Sequence, residues 1–154
     1  MAVMDDRKKR PEIRAFRQED AASVMELWLK SNLEAHDFIS GQYWREQFDF
    51  VKAALPQAEV FVWEAADSGE ILGFLGLSGD YIAGIFVESR ARSCGIGKRL
   101  LEYAKEHRER LNLHVYQKNE RAVRFYQREG FRISSGCLDE DTREPEYEMV
   151  WRQG

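Results

Sequence analysis

The sequence predicts an α/β (α+β) fold with a mixed, mostly antiparallel central sheet and helices on both of its faces. Three observations predict it. Short apolar runs bounded by turn residues follow one another between residues 60 and 87, which marks consecutive hairpins. Two helical patterns precede that run. A strand–helix–strand–helix–strand succession follows it, and such a crossover joins parallel neighbours. The 154 residues, 44% hydrophobic, suffice for one domain with its own core.

The elements follow in order. Glu12 to Phe16 alternates as a first strand. Asp20 is placed to cap a helix carrying Val24, Leu27, Trp28 and Leu33. Ser40 or Gly41 opens a second helix with Trp44, Phe48, Val51 and Leu55 on one face, and Pro56 stops it. Strands are expected over Val60–Trp63, Ile71–Leu77 and Tyr81–Val87, separated by turns at Asp67–Glu70 and Ser78–Asp80. Gly84, inside the last of these, signals a bulge or a close approach by a ligand. An amphipathic helix with Leu100, Leu101 and Ala104 follows, then a strand over Leu111–Tyr116. Asn119 caps a further helix and Gly130 ends it. Two strands, near Phe131–Ser134 and Glu146–Trp151, complete the order β-α-α-β-β-β-α-β-α-β-β, joined by the acidic loop Asp139–Asp141.

Composition excludes several classes. With 23 Lys+Arg against 27 Asp+Glu the net charge is −4, so no nucleic-acid or membrane partner is expected. No apolar stretch approaches the roughly 18 residues of a membrane span. The opening residues lack the apolar region of a secretory signal, and a cytoplasmic setting is expected. Cys94 and Cys137 show neither a disulfide framework nor a metal-ligand spacing, so no metal is expected. Residues 1–11, with Arg7-Lys8-Lys9-Arg10 and no aromatic neighbours, read as a disordered tail before a single domain at 12–154. Charge is uneven along the chain. Residues 31–90 hold ten acids and three bases, and residues 91–130 ten bases and five acids. That pattern is either surface drift or a site with one half for a polyanion and one for a cation.

The most informative segment runs from Ile85 to Leu101. An apolar strand enters, a loop with Gly95 and Gly97 turns, and a helix leaves. The first N–H groups of a helix lack internal partners and point the positive end of its dipole outward, which makes an anion site. A Walker A loop would need Gly at Arg92 and Ser or Thr at Arg99. A dinucleotide fingerprint would need Gly at Leu100 and an acid near Gln117. Neither fits. A helix start without any ligand stays open on these residues alone.

Two motifs carry a family resemblance. Arg92-Ser93-Cys94-Gly95-Ile96-Gly97 resembles the Arg/Gln-x-x-Gly-x-Gly/Ala acetyl-CoA loop of the GNAT superfamily of N-acetyltransferases. Asn119-Glu120-Arg121-Ala122-Val123-Arg124-Phe125-Tyr126, continuing to Gly130-Phe131, resembles that family's second signature, Asn-x-x-Ala-x-x-Phe-Tyr-x-x-x-Gly-Phe. The two stand in family order, and the element pattern matches from about residue 12 to 151. Trp28, the stretch Ala35–Ile39 and Pro56 also resemble the small bacterial YjaB-like branch. Cys94 stands where the family more often has Gly, Lys or Arg.

The resemblance implies acetyl-CoA as co-substrate and an amine as acceptor. The diphosphate is expected on main-chain N–H groups around Arg92, Cys94, Gly95, Ile96, Gly97 and Lys98. The pantetheine arm is expected along Ile85 and Val87, with Asn119 also touching CoA. Tyr126 is the expected catalytic residue, supporting the departing thiolate. Full proton transfer from a phenol of pKa about 10 to a thiolate of about 8.5 is uphill by roughly 2 kcal/mol, so a hydrogen bond is the expected support. A lysine-like amine is neutral about once in 2,500 molecules at pH 7, so a base is expected, with Asp80, Glu64 and His36 as candidates. The acids of residues 31–90 favour a cationic acceptor, whether a protein lysine, a polyamine or an aminoglycoside-like amine. Direct transfer is expected because Cys94 lies in the diphosphate loop. A monomer or homodimer is expected. The competing readings are a non-catalytic acyl-CoA sensor on the same fold and a nucleotide-binding protein.

Overall fold

The computed structural model describes residues 12–92 and 94–154, so the expected tail lies outside the described residues. Its elements are β1 (Glu12–Ala15), α1 (Ala21–Ala35), α2 (Gly41–Ala54), β2 (Glu59–Glu64), β3 (Ile71–Ser78), β4 (Tyr81–Val87), α3 (Ile96–Glu106), β5 (Arg110–Tyr116), α4 (Glu120–Arg128), β6 (Arg132–Leu138) and β7 (Pro145–Arg152). They match the expected order. The strands form one seven-stranded sheet, β1-β2-β3-β4-β5-β7-β6, antiparallel at every seam except β4–β5.

Helices cover both faces, as the apolar patterning requires. Leu100, Leu101 and Ala104 of α3 and Val123 and Tyr126 of α4 pack on Leu75, Leu77, Ile82 and Leu113. On the opposite face Val24, Leu27 and Trp28 of α1 and Trp44 of α2 pack on Val60, Val62 and Phe74. Trp28 and Trp44 meet edge to face at 6.0 Å.

Three details depart from the sequence reading. Asp20 holds the residue position before α1, but its carboxylate does not cap that helix. It turns back to accept from the Arg14 guanidinium at 2.8 and 3.0 Å and from the Arg17 N–H at 2.8 Å. Two bonds from a guanidinium are stronger than one from a backbone N–H, so the carboxylate goes to Arg14. Strand β6 runs on to Leu138, four residues past the expected end. Its residues are exposed throughout, so no apolar alternation marks it, whereas the ladder with β7 defines it. The irregularity signalled by Gly84 is a register shift: Gly76 pairs with Gly84 and Leu77 with Ile82, leaving Ala83 as the extra residue. Gly84 itself is explained within the chain. A Cβ there would sit 2.4 Å from the Phe86 ring.

The acidic half of the charge pattern is partly neutralised by folding: six of the ten acids of residues 31–90 are ion-paired. Acids of residues 31–90 pair with bases: Glu64 with Arg14, Glu88 with Lys30, Glu59 with Arg108, Asp80 with Arg108 and Arg110, Glu70 with Arg90 and Glu34 with Arg92. Of these six, only Glu34 lines the cleft described below.

The parallel seam positions the site. β4 and β5 are in register only at Tyr81↔Asn112, with Asn112 N–H donating to the Asp80 carbonyl at 3.0 Å. Beyond that point the strands part, and Phe86, stacked on Phe74 at 4.9 Å, stands beside the gap. Gly84→Ala forces this stacked ring to move. The expected outcome is a loss of about 1–3 kcal/mol in urea unfolding; an unchanged midpoint would show that the ring gives way freely.

Candidate active site

The edge of β4 that faces the gap carries free backbone groups. In an antiparallel pair, alternate residues send both N–H and C=O to the same neighbour. Glu88 N–H donates to the Leu72 carbonyl of the β3 side at 2.8 Å. Phe86 therefore also faces β3, and Ile85 and Val87 face the gap. Their N–H and C=O groups find no β5 partner, since the ladder ends at Tyr81.

The loop after β4 ends in Gly95, whose φ of +81° is the left-handed conformation that glycine adopts without strain. No side chain caps α3 among the described residues. Its first internal bond is Arg99 N–H to the Gly95 carbonyl at 3.0 Å, so the N–H groups of Ile96, Gly97 and Lys98 have no helical partner. They point the positive end of the dipole into the same cleft as the β4 edge.

That cleft has a volume of about 1160 Å³. It brings together Ile85, Val87, Arg92, Gly95, Ile96, Gly97, Lys98, Asn119 and Tyr126, which are distant in sequence. Cys94 is the exception: its thiol is exposed, it does not line the cleft, and its N–H points to the Ala91 carbonyl at 3.4 Å. Five of the ten bases of residues 91–130 line the cleft, namely Arg92, Lys98, Lys118, Arg121 and Arg128, against the acids Glu34, Glu120 and Glu129. The positive half of the sequence pattern is thus a real feature of the folded site, and it suits a polyanion.

Helix α4 supplies Tyr126. Asn119 caps the helix, its side-chain oxygen accepting from Ala122 N–H at 3.3 Å. At the other end Gly130 N–H donates to the Gln127 carbonyl at 3.1 Å and Phe131 N–H to the Tyr126 carbonyl at 2.9 Å, the Schellman closure. Between these stops the Tyr126 ring is packed by Phe125 and Phe131 at 5.2 and 5.5 Å. Burial, and then the neighbouring Tyr81, hold its hydroxyl well above the usual phenol range. Among the described residues that hydroxyl has no hydrogen-bond partner.

The three expected base candidates fare differently. Asp80 sits at the far end of β4, paired with Arg110 at 3.0 Å, and Glu64 is paired with Arg14 at 2.9 Å at the β1–β2 seam. Neither lines the cleft. His36 does, but its chemistry is already committed. Because the Asn119 oxygen is turned to Ala122, the Asn119 amide nitrogen faces His36 Nε2 at 3.3 Å. An amide nitrogen can only donate, so Nε2 accepts and the ring proton sits on Nδ1. A doubly protonated ring would set donor against donor. His36 also stacks on Trp44 at 5.2 Å, and burial pushes its pKa down to about 4. Sequence reasoning missed Lys118 and Arg121, which line the cleft on either side of Asn119. Their adjacency to the second signature was the available signal.

The sequence and the fold match known proteins. Residues 21–131 match the acetyltransferase (GNAT) family, and the chain belongs to that family. It is 38% identical over 141 residues to the peptidyl-lysine N-acetyltransferase YiaC of Escherichia coli, covering 90% of this chain and 95% of that one. It is 32% identical over 133 residues to the peptidyl-lysine N-acetyltransferase YjaB of the same organism, covering 86% and 90%. The solution structure of apo-form YjaB superposes with a TM-score of 0.83 at 29% identity, over 94% of this chain and 99% of that one. The PaiA N-acetyltransferase of Thermoplasma acidophilum in complex with coenzyme A shares the fold, with a TM-score of 0.73 at 18% identity over 93% and 99%. The chain is an N-acetyltransferase of the YjaB-like branch, and its chemistry is acetyl transfer to an amine. Among the described residues no helix is long and apolar enough to cross a membrane, and no group of three or more His, Cys, Asp or Glu could hold a metal.

His36 makes the stability depend on pH. Its pKa is lower in the folded chain than in the unfolded one, where it is about 6.5. Below pH 6.5 the unfolded state binds the extra proton, so this contribution falls as the pH drops from 6.5 to about 4 and then levels. His36→Gln keeps an uncharged acceptor for Asn119. Denaturant titrations at pH 7 and pH 4 are expected to show the variant losing about 3 kcal/mol less than the wild type between them; equal losses would contradict the buried neutral ring.

Proposed function

We propose that this chain moves an acetyl group from acetyl-CoA directly to the side-chain amine of a protein lysine. One observation carries the reading: the unpaired edge of β4, the free N–H groups of α3 and Tyr126 converge on one basic cleft. The N–H groups of Ile96, Gly97 and Lys98 hold the diphosphate, with Arg92 and Lys98 side chains adding charge. Cys94 contributes no donor to that grip. Ile85 and Val87 bond the pantetheine amides as a further strand bonds a sheet edge, and Asn119 lines the same path. A lysine acceptor is supported by the two curated relatives, both called peptidyl-lysine N-acetyltransferases. A cytoplasmic setting fits two free, exposed cysteines.

Tyr126 supports the departing sulfur. Burial raises the Tyr126 pKa, so the hydroxyl keeps its proton and acts as a donor. The hydroxyl therefore stabilises the thiolate by a hydrogen bond.

Tyr126→Phe keeps the packing against Phe125 and Phe131 and removes only the hydroxyl. Acetyl-CoA affinity, measured by calorimetry, is expected to stay within about twofold, while CoA release with a lysine peptide drops at least about tenfold. Unchanged turnover would remove Tyr126 from the reaction. A wild type that binds acetyl-CoA and releases no CoA with any amine would favour the sensor.

A further inference from the structure

Asp80 and Glu64 are ion-paired and His36 Nε2 already accepts from Asn119, so none of the three is free to take the proton that the acceptor amine must lose, whereas a tyrosine–histidine pair stands where β4 and β5 part. The Tyr81 hydroxyl lies 3.1 Å from His114 Nδ1, with the two rings 5.6 Å apart. Tyr81 is the residue at which β4 and β5 part, and His114 lies two residues further along β5, in the segment that has left β4 behind. By alternation with Ile82 and Leu113, which are buried under α3 and α4, both side chains emerge on the opposite face. Tyr126 approaches from the covered face. Neither side chain lines the cleft beside α3; Tyr81 is the half-buried member of the pair, whose charge bears on Tyr126, and His114 is the exposed one.

We propose that Tyr81 and His114 form a proton relay for the acceptor amine. This rests on the acetyl-transfer reading above. The Tyr81 oxygen takes a proton from the acceptor ammonium while the Tyr81 hydroxyl proton passes to His114 Nδ1. The freed nitrogen lone pair forms the C–N bond to the acetyl carbon, the C–S bond breaks with its electron pair leaving on the sulfur beside Tyr126, and the nitrogen's second proton passes to that sulfur, giving the amide and the free thiol of CoA. The His114 imidazolium then returns its proton to water. Tyr81 touches the substrate; His114 acts through it.

The charged groups around the pair suit this direction of transfer. Glu148 stands directly across from His114 on β7, its carboxylate held by Ser134 at 2.8 Å. Glu146 faces His114 and is raised chiefly by burial and by Asp139, with His114 working the other way. Cys137 pairs in register with Glu146 on β6, and Asp139 at the end of β6 accepts from the Tyr116 hydroxyl at 2.6 Å. At the start of the strands Asp80 and Arg110 neutralise each other at 3.0 Å. An imidazolium therefore forms among carboxylates, and a cationic acceptor meets acids that lie after residue 130 rather than those of residues 31–90.

The test uses the full chain, acetyl-CoA and a lysine peptide, with CoA release followed from pH 6 to 10. In the wild type, ammonium and free base are used together, so kcat/KM has a plateau below the amine's own ionisation. His114→Gln, at an exposed position, and Tyr81→Phe are each expected to lower kcat/KM at pH 7.5 at least about tenfold, mainly in kcat, with acetyl-CoA affinity unchanged. Both should replace the plateau by a tenfold rise per pH unit and regain most activity near pH 10. Added imidazole should restore part of the activity of His114→Ala. Variants that bind acetyl-CoA and keep the wild-type pH profile overturn the relay and leave acetyl transfer standing. A wild type that releases no CoA with any amine overturns the underlying reading instead.

Discussion

Everything at the site depends on one irregularity of the sheet: β4 and β5 pair at Tyr81↔Asn112 and then part. Parallel neighbours usually share bonds along their whole length, and unpaired backbone groups inside a sheet are costly. Here the separation leaves the Ile85 and Val87 groups facing open space under a helix. The gap persists because each strand is held firmly on its other side. β4 is bonded to β3 from Ser78↔Tyr81 to Gly73↔Val87, and β5 to β7 from Arg110↔Arg152 to Tyr116↔Glu146. The sheet is in effect two rigid ribbons joined at a corner.

The helices convert that gap into a site with two distinct sides. α3 starts beside the end of β4 and offers uncapped N–H groups, and α4 lays Tyr126 across the opening. Lys98 of α3 and Arg121 and Arg128 of α4 line this side. On the far face of the sheet Tyr81 and His114 lie beside Glu146 and Glu148, carboxylates rather than guanidinium groups. An anionic donor and a cationic acceptor can thus reach one reacting centre from opposite faces without their charges competing for the same groups.

Much of this was legible in the sequence, and the exceptions have physical reasons. The helices could be read because their buried faces repeat at helical spacing, as Leu100, Leu101 and Ala104 do in α3. The Asn119 cap and the Gly130 stop are local devices that need only neighbouring residues. β6 was cut short because an exposed edge strand carries no alternation. The charge argument failed where it treated sequence neighbours as spatial ones: Glu64, Asp80 and Glu88 are all answered by bases from other elements. His114 was invisible for the same reason. In Leu111-Asn112-Leu113-His114-Val115 it occupies the polar face of an ordinary strand, and only the fold sets Tyr81 beside it.

The most direct test of the gap as the CoA site is amide NMR during titration with coenzyme A. The account predicts shifts at the N–H groups of Ile85, Val87, Ile96, Gly97 and Lys98, with small changes at Phe86 and Glu88, whose groups face β3. Shifts at Phe86 and Glu88 equal to those at Ile85 and Val87, or none along β4, would contradict it.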